Sequence, residues 1–197
     1  VGSGQMCIRD RIWLLRPLMN RTTALQKMMK WDKQGRYVFT LADLTKIFAE
    51  DSPKALQAGL NRLVKEEVLL RPVRGIYLFN LAYSRDSRAI EHIARALRRG
   101  EYNYVSLESA LSEYGIISQI PIDRLTVMTT GRKGTYPTPF GTIEFTHTKR
   151  RQEDILADVV QTNRPLKIAK PERALRDLKR VGRNVHLVDE GALSYAE

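Results

Sequence analysis

Five side chains between positions 54 and 65 carry the most specific chemistry in the sequence. Lys54, Gln57, Ala58, Asn61 and Lys65 recur at helical spacing and fall on one face. Ammonium groups contact phosphates. Amides carry a donor and an acceptor side by side and can read base edges. Arg71 and Arg74 follow at what reads as the tip of a hairpin, where guanidinium groups would meet a phosphate backbone. The residue types point to duplex DNA as a partner. The competing reading is a small helical domain whose cations form only a solvated face.

The elements that must position these residues are legible around them. Ser52 is an N-cap, and Pro53 stands at the first helical position, where a missing N–H costs nothing. Leu56, Leu60, Leu63 and Val64 make one apolar stripe on the face opposite the polar one. Residues 68–71 predict a strand, 72–75 (Pro-Val-Arg-Gly) a turn, and 76–79 the returning strand. Upstream, Thr40 caps a helix over 41–48, whose Leu41, Leu44, Ile47 and Phe48 pack beneath the polar-faced helix. Tyr37, Val38 and Phe39 read as a short strand able to pair with the hairpin. A helix over 12–34, interrupted at Pro17, carries Leu14, Leu18, Leu25, Met28 and Met29, with Thr22 or Thr23 as cap of its later part. This order predicts a winged helix-turn-helix.

Composition bounds the alternatives. The chain has 197 residues, a net charge of +11 and one cysteine, Cys7, so neither an intrachain disulfide nor a cysteine metal cluster is expected. No apolar run approaches a membrane span and no signal peptide is evident, which predicts a soluble, cytoplasmic protein. The charge is +6 over residues 12–83, +4 over 84–197 and +1 over 1–11, so the excess is denser where DNA contact is expected. Residues 1–11 resemble translated sequencing-adapter read-through and are read as a non-native leader.

The second half mixes helices and strands. Residues 80–84 read as a linker. An amphipathic helix over 86–99 presents Ile90, Ile93, Ala94 and Leu97 and stops at Gly100. A second spans 105–115, with Ser106 and Ser109 as candidate caps. The β-rich runs 125–130 and 140–147 are expected to pair across the loop between them. A helix over 153–160, a strand over 166–169 and a helix from Pro171 to Gly182 follow, and residues 185–197 begin an element the chain does not finish. Arg132 and Lys133 sit in one turn, and Lys149, Arg150 and Arg151 in another. Their position at strand ends predicts one basic functional face.

No catalytic chemistry is predicted. His92, His147 and His186 lack metal-ligand spacing, and there is no phosphate-binding loop, nucleophile elbow or CxxC pair. A PD…(D/E)xK nuclease pattern fails at Glu144, which is followed by Phe145 and Thr146 with no lysine at the required place. Glu108, Asp123, Glu144 and Glu172 read as ordinary surface or cap carboxylates. No metal or cofactor is expected.

Several stretches, taken in order, resemble the AbiEi-type antitoxins of type IV toxin–antitoxin systems, found in bacterial abortive infection and on mobile elements. They are Arg74-Gly75-Ile76-Tyr77; the run 105–117 (VSLESALSEYGII); the strand 125–132; the strand 138–147 (TPFGTIEFTH); and the helix 169–178 (AKPERALRDL). The resemblance implies an α+β protein with a winged helix-turn-helix over 12–83 and a mixed α/β antitoxin domain over 84–197. It implies repression of its own operon through inverted repeats in double-stranded promoter DNA. It further implies that the second domain counters a nucleotidyltransferase-like toxin without a stable complex being required. The alternative is a winged-helix regulator whose second domain binds a ligand or protein and which has no toxin partner.

Overall fold

The structure, a computed structural model, describes residues 19–117 and 123–193. The expectations for the 1–11 leader, Cys7, the helical piece before Met19 and the last four residues lie outside the described residues. The chain is a mixed α+β protein and divides into two compact units. One holds the described residues up to Arg71 with Tyr77–Ser84; the other holds Pro72–Ile76 with Arg85 onward.

In the first unit, α1 (Arg21–Asp32) is capped by Asn20, whose side chain accepts from Thr23 N at 2.7 Å, rather than by Thr22 or Thr23. Its buried positions are Ala24 and Met28, one turn apart, while Met29 is 52% exposed. Strand β1 (Val38–Thr40) runs directly into α2 (Leu41–Ile47). Thr40 and Asp43 form a reciprocal capping box there, each side chain bonded to the other's backbone N–H. Leu44 and Phe48 are buried, whereas Leu41 stays exposed. Helix α3 (Pro53–Lys65) starts at Ser52, whose hydroxyl accepts from Ala55 N, and buries Leu56, Gly59, Leu60 and Leu63.

Strands β2 (Leu69–Val73) and β3 (Ile76–Phe79) form the hairpin, and the sheet order is β1-β3-β2. The turn is shorter than the sequence suggested. Only Arg74 and Gly75 form it, and Gly75 takes φ +81°, a conformation glycine adopts without cost. Pro72 and Val73 belong to β2, so Arg71 stands within the strand and Arg74 alone at the tip. The expected linker is tied back to its own unit. Asn80 donates to the Glu67 carbonyl, and the Asp32 carboxylate accepts from the backbone N–H groups of Tyr83 and Ser84 at 2.9 and 3.0 Å.

The second unit is built on a mixed sheet in the order β6-β7-β5-β4-β9-β8. Its elements are α4 (Ala89–Leu97), β4 (Asn103–Val105), α5 (Leu107–Glu113), β5 (Arg124–Thr129), β6 (Gly134–Thr138), β7 (Gly141–His147), α6 (Gln152–Ala157), β8 (Val159–Val160), β9 (Lys167–Ala169) and α7 (Pro171–Val181). A 3₁₀ turn (Val185–Leu187) and α8 (Glu190–Leu193) follow. The two β-rich runs do lie side by side, but in parallel, with Leu125 opposite Ile143 and Thr129 opposite His147. The chain leaves β5, descends the sheet edge as β6 and returns between them as β7. Pro137 fits because β6 is an edge strand, where a missing N–H breaks no ladder. The stretch read as one helix over 153–160 is α6 followed by β8. Val127, Ile143, Phe145, Leu111, Ala174 and Leu178 lie in the core.

Candidate nucleic-acid interface

Helix α3 separates its two faces cleanly. The leucine stripe is buried, Lys54, Ala58, Asn61 and Lys65 are exposed, and Gln57 is half-exposed. Gln57 and Asn61 are bonded to each other. Gln57 Nε2 donates to Asn61 Oδ1 at 3.0 Å. Arg71 points from β2 to solvent and lies over the Tyr77 ring at 5.8 Å, a contact that holds a cation without neutralising it. Arg74 is exposed in the turn. Six of these seven positions therefore present solvent-exposed side chains and the seventh, Gln57, a partly exposed one.

In the second unit the five predicted cations leave the sheet at one end. Because β5 and β7 are parallel and in register, the segments after Thr129 and His147 emerge side by side. Arg132, Lys133, Lys149 and Arg151 are exposed there, with Arg151 paired to Glu153 at 2.6 Å. Arg150 departs from the prediction. Its guanidinium turns inward, donating to Asp158 Oδ2 and the Asp154 carbonyl, both at 2.6 Å, and its side chain is only 18% exposed. Lys149 and Arg151 stay exposed on either side, and the middle cation of the run is the one captured.

Two residues to which the sequence assigned no such role hold the first of these turns. Arg98 donates from Nε to the Arg132 carbonyl at 3.0 Å and from Nη2 to Tyr136 Oη at 2.8 Å, with its guanidinium over the Tyr136 and Phe145 rings. His147 Nδ1 lies 2.8 Å from the Gly131 carbonyl oxygen. In the sequence, Arg98 is indistinguishable from a cation placed to suit the end of α4.

The carboxylates read as ordinary surface groups are not all so. Glu108 is 5% exposed and receives Arg183 Nε at 2.8 Å and Asn184 Nδ2 at 2.9 Å. Arg183 also bonds Glu144, which Arg124 approaches from its other side at 2.6 Å. Burial opposes ionisation of Glu144, but the hydrogen bonds from Arg183 and Arg124 outweigh it and hold its carboxyl below the usual range. His92 is half-buried beside Asp86, and its burial pushes the imidazole pKa down. Among the described residues, no group of three or more His, Cys, Asp and Glu is arranged to hold a metal ion, and no helix is long and apolar enough to cross a membrane.

No family model matches the chain. No curated protein matches it either. Among solved structures, the fold is similar to that of the RV2827C protein from Mycobacterium tuberculosis, with a TM-score of 0.53 and 16% sequence identity over 80% of this chain. The match covers 60% of that protein's length. At this identity the likeness is one of fold.

Proposed function

We propose that this chain is a DNA-binding antitoxin of the AbiEi type. The segment from α1 to β3 would act as a winged helix-turn-helix on inverted repeats in its own promoter, and the segment from α4 onward would counter a nucleotidyltransferase-like toxin in the cytoplasm without needing a stable complex. The observation that carries the DNA half is the solvent face of α3, where Lys54, Gln57, Ala58, Asn61 and Lys65 stand unburied on a capped helix. The supporting arrangement is the order helix, strand, helix, helix, hairpin with the sheet order β1-β3-β2, which gives a rigid support to a helix of a size that fits the major groove. The antitoxin half rests on the ordered sequence stretches and on the basic end of the second sheet.

A reporter fused to the region upstream of the gene tests the first half. Expression of the chain should repress it, and a variant with Lys54, Lys65, Arg71 and Arg74 all changed to Ala should not. The second half requires a nucleotidyltransferase gene directly downstream, and co-expression with that gene's product tests it. Rescue of growth should survive loss of the α3 cations and fail when Arg132, Lys133, Lys149 and Arg151 are changed to Ala in a folded protein. Rescue undiminished by that change would mean that the basic sheet end takes no part in countering the toxin.

A further inference from the structure

Along α3 the exposed residues form an ordered series: cation, amide, amide, cation, at 54, 57, 61 and 65. The rise of about 1.5 Å per residue puts roughly 16 Å between the two lysines. The major groove is about 12 Å wide. Lysine side chains reaching outward from both ends can meet phosphates on the two flanking strands while the amides lie over the base edges. The amides are also interlocked, since Gln57 spends one N–H on Asn61 Oδ1 at 3.0 Å.

We infer that Gln57 and Asn61 act as one reading unit for a single A·T pair, recognising the adenine edge in the major groove. This rests on the DNA-binding reading above and deepens it. The interlock leaves Gln57 Oε1 available to accept, and the Asn61 amide nitrogen and the second Gln57 N–H available to donate. Adenine offers the complement there: an N6 amino donor beside the N7 acceptor. Guanine presents two acceptors, O6 and N7, and would set O6 against Gln57 Oε1. The bond between the amides favours this pair of rotamers before DNA arrives, so less side-chain freedom is lost on binding. Ala58, on the same exposed face, adds a methyl suited to a thymine methyl group.

The test is a binding titration of the full chain against its own upstream duplex and against a set with each base pair changed in turn. It is run for the unsubstituted protein, Gln57→Ala, Asn61→Ala and the double variant. Both positions lie on the solvent side of α3, and a circular-dichroism melt serves as the fold control. The unsubstituted protein should lose affinity roughly 5- to 100-fold when one particular A·T pair is changed. Each single variant should lose discrimination at that same pair, and the double variant should be no worse than either single. Two singles that relax preference at two different pairs, or whose losses multiply in the double, overturn the paired reading and leave DNA binding standing. An unsubstituted protein with no sequence preference overturns both.

Discussion

Ser106 Oγ donates to Asp177 Oδ2 at 2.9 Å, joining two residues 71 positions apart. Both are fully buried. Tyr104 Oη donates to the same carboxylate oxygen at 3.1 Å, and Arg173 pairs with the other at 2.9 Å from one helical turn away. Burial first, and the adjacent Asp177 charge second, push the Tyr104 phenol up to about 12, so it remains a donor at any physiological pH. The stretches VSLESAL and PERALRDL, far apart in the sequence, are the two sides of this one contact. Ser106 precedes α5 yet caps nothing, because its hydroxyl is committed to Asp177. Ser109 likewise crosses to β5, bonding the Thr126 N–H and the Arg124 carbonyl.

Asp177→Ala should therefore be among the most damaging substitutions in the second unit. It leaves Arg173 only the more distant Asp158 carboxylate, at 3.7 Å, removes the acceptor shared by the Ser106 and Tyr104 hydroxyls, and should cost about 3–5 kcal/mol. Ser106→Ala removes one donor from a carboxylate that keeps its other partners, and should cost about 1–2 kcal/mol. Urea unfolding followed by circular dichroism gives both values. Equal, small costs would mean that Asp177 is not the hub of the α5–α7 contact.

The Glu144 carboxylate predicts an acid limit to stability. Its folded pKa lies below the ordinary carboxylate value of 4.5 because the Arg183 and Arg124 hydrogen bonds outweigh its burial. The unfolded chain then takes up a proton at higher pH than the folded one. The contribution is fully present above about pH 4.5 and is lost as pH falls through the folded value. Glu144→Gln should flatten the fall in melting temperature below pH 4.5 while lowering stability at neutral pH. A pH profile parallel to that of the unsubstituted protein would contradict the assignment.

Gly141 turns the chain from β6 into β7 at φ +112°, and a Cβ there would sit 2.8 Å from the Asp123 carbonyl oxygen. That contact is to backbone, which has no rotamer to yield. Gly141→Ala should cost about 2–4 kcal/mol, combining left-handed strain with the clash. Gly59→Ala provides the contrast. Its Cβ would meet Met19 Sδ at 3.0 Å, and a thioether can move aside. A thermal melt of the two variants should separate them clearly, with Gly141→Ala the lower.

What could be read directly from the sequence was what short range determines. Ser52, Pro53 and the leucine stripe define α3 within a dozen residues, and Thr40 defines the start of α2, so both stood out. Asn20 competes in sequence with Thr22 and Thr23 two and three residues on, because all three side chains can cap. The connectivity of the second unit is set at long range. Three-residue β4 is too short to show alternation, and its role depends on β5 and β9, which flank it in the sheet. A parallel β5–β7 pair with β6 looped outside looks, in sequence, like a simple hairpin. Asp177, one turn after Arg173, reads as half of a surface ion pair, and Arg150 reads as one of three equivalent cations. Only packing distinguishes the captured residue from its exposed neighbours.

Sequence-selective DNA binding by the exposed face of α3 is measured by a fluorescence-anisotropy titration. The purified chain is titrated against its own upstream duplex and a scrambled one at several salt concentrations, beside Lys54→Ala, Lys65→Ala, Arg71→Ala and Arg74→Ala. The upstream duplex should be preferred by roughly 10³-fold or more. Each single cation variant should weaken binding to both duplexes and lower the salt slope by about one. Equal affinity for both duplexes, with a slope that none of the four substitutions changes, would contradict sequence-selective binding by α3.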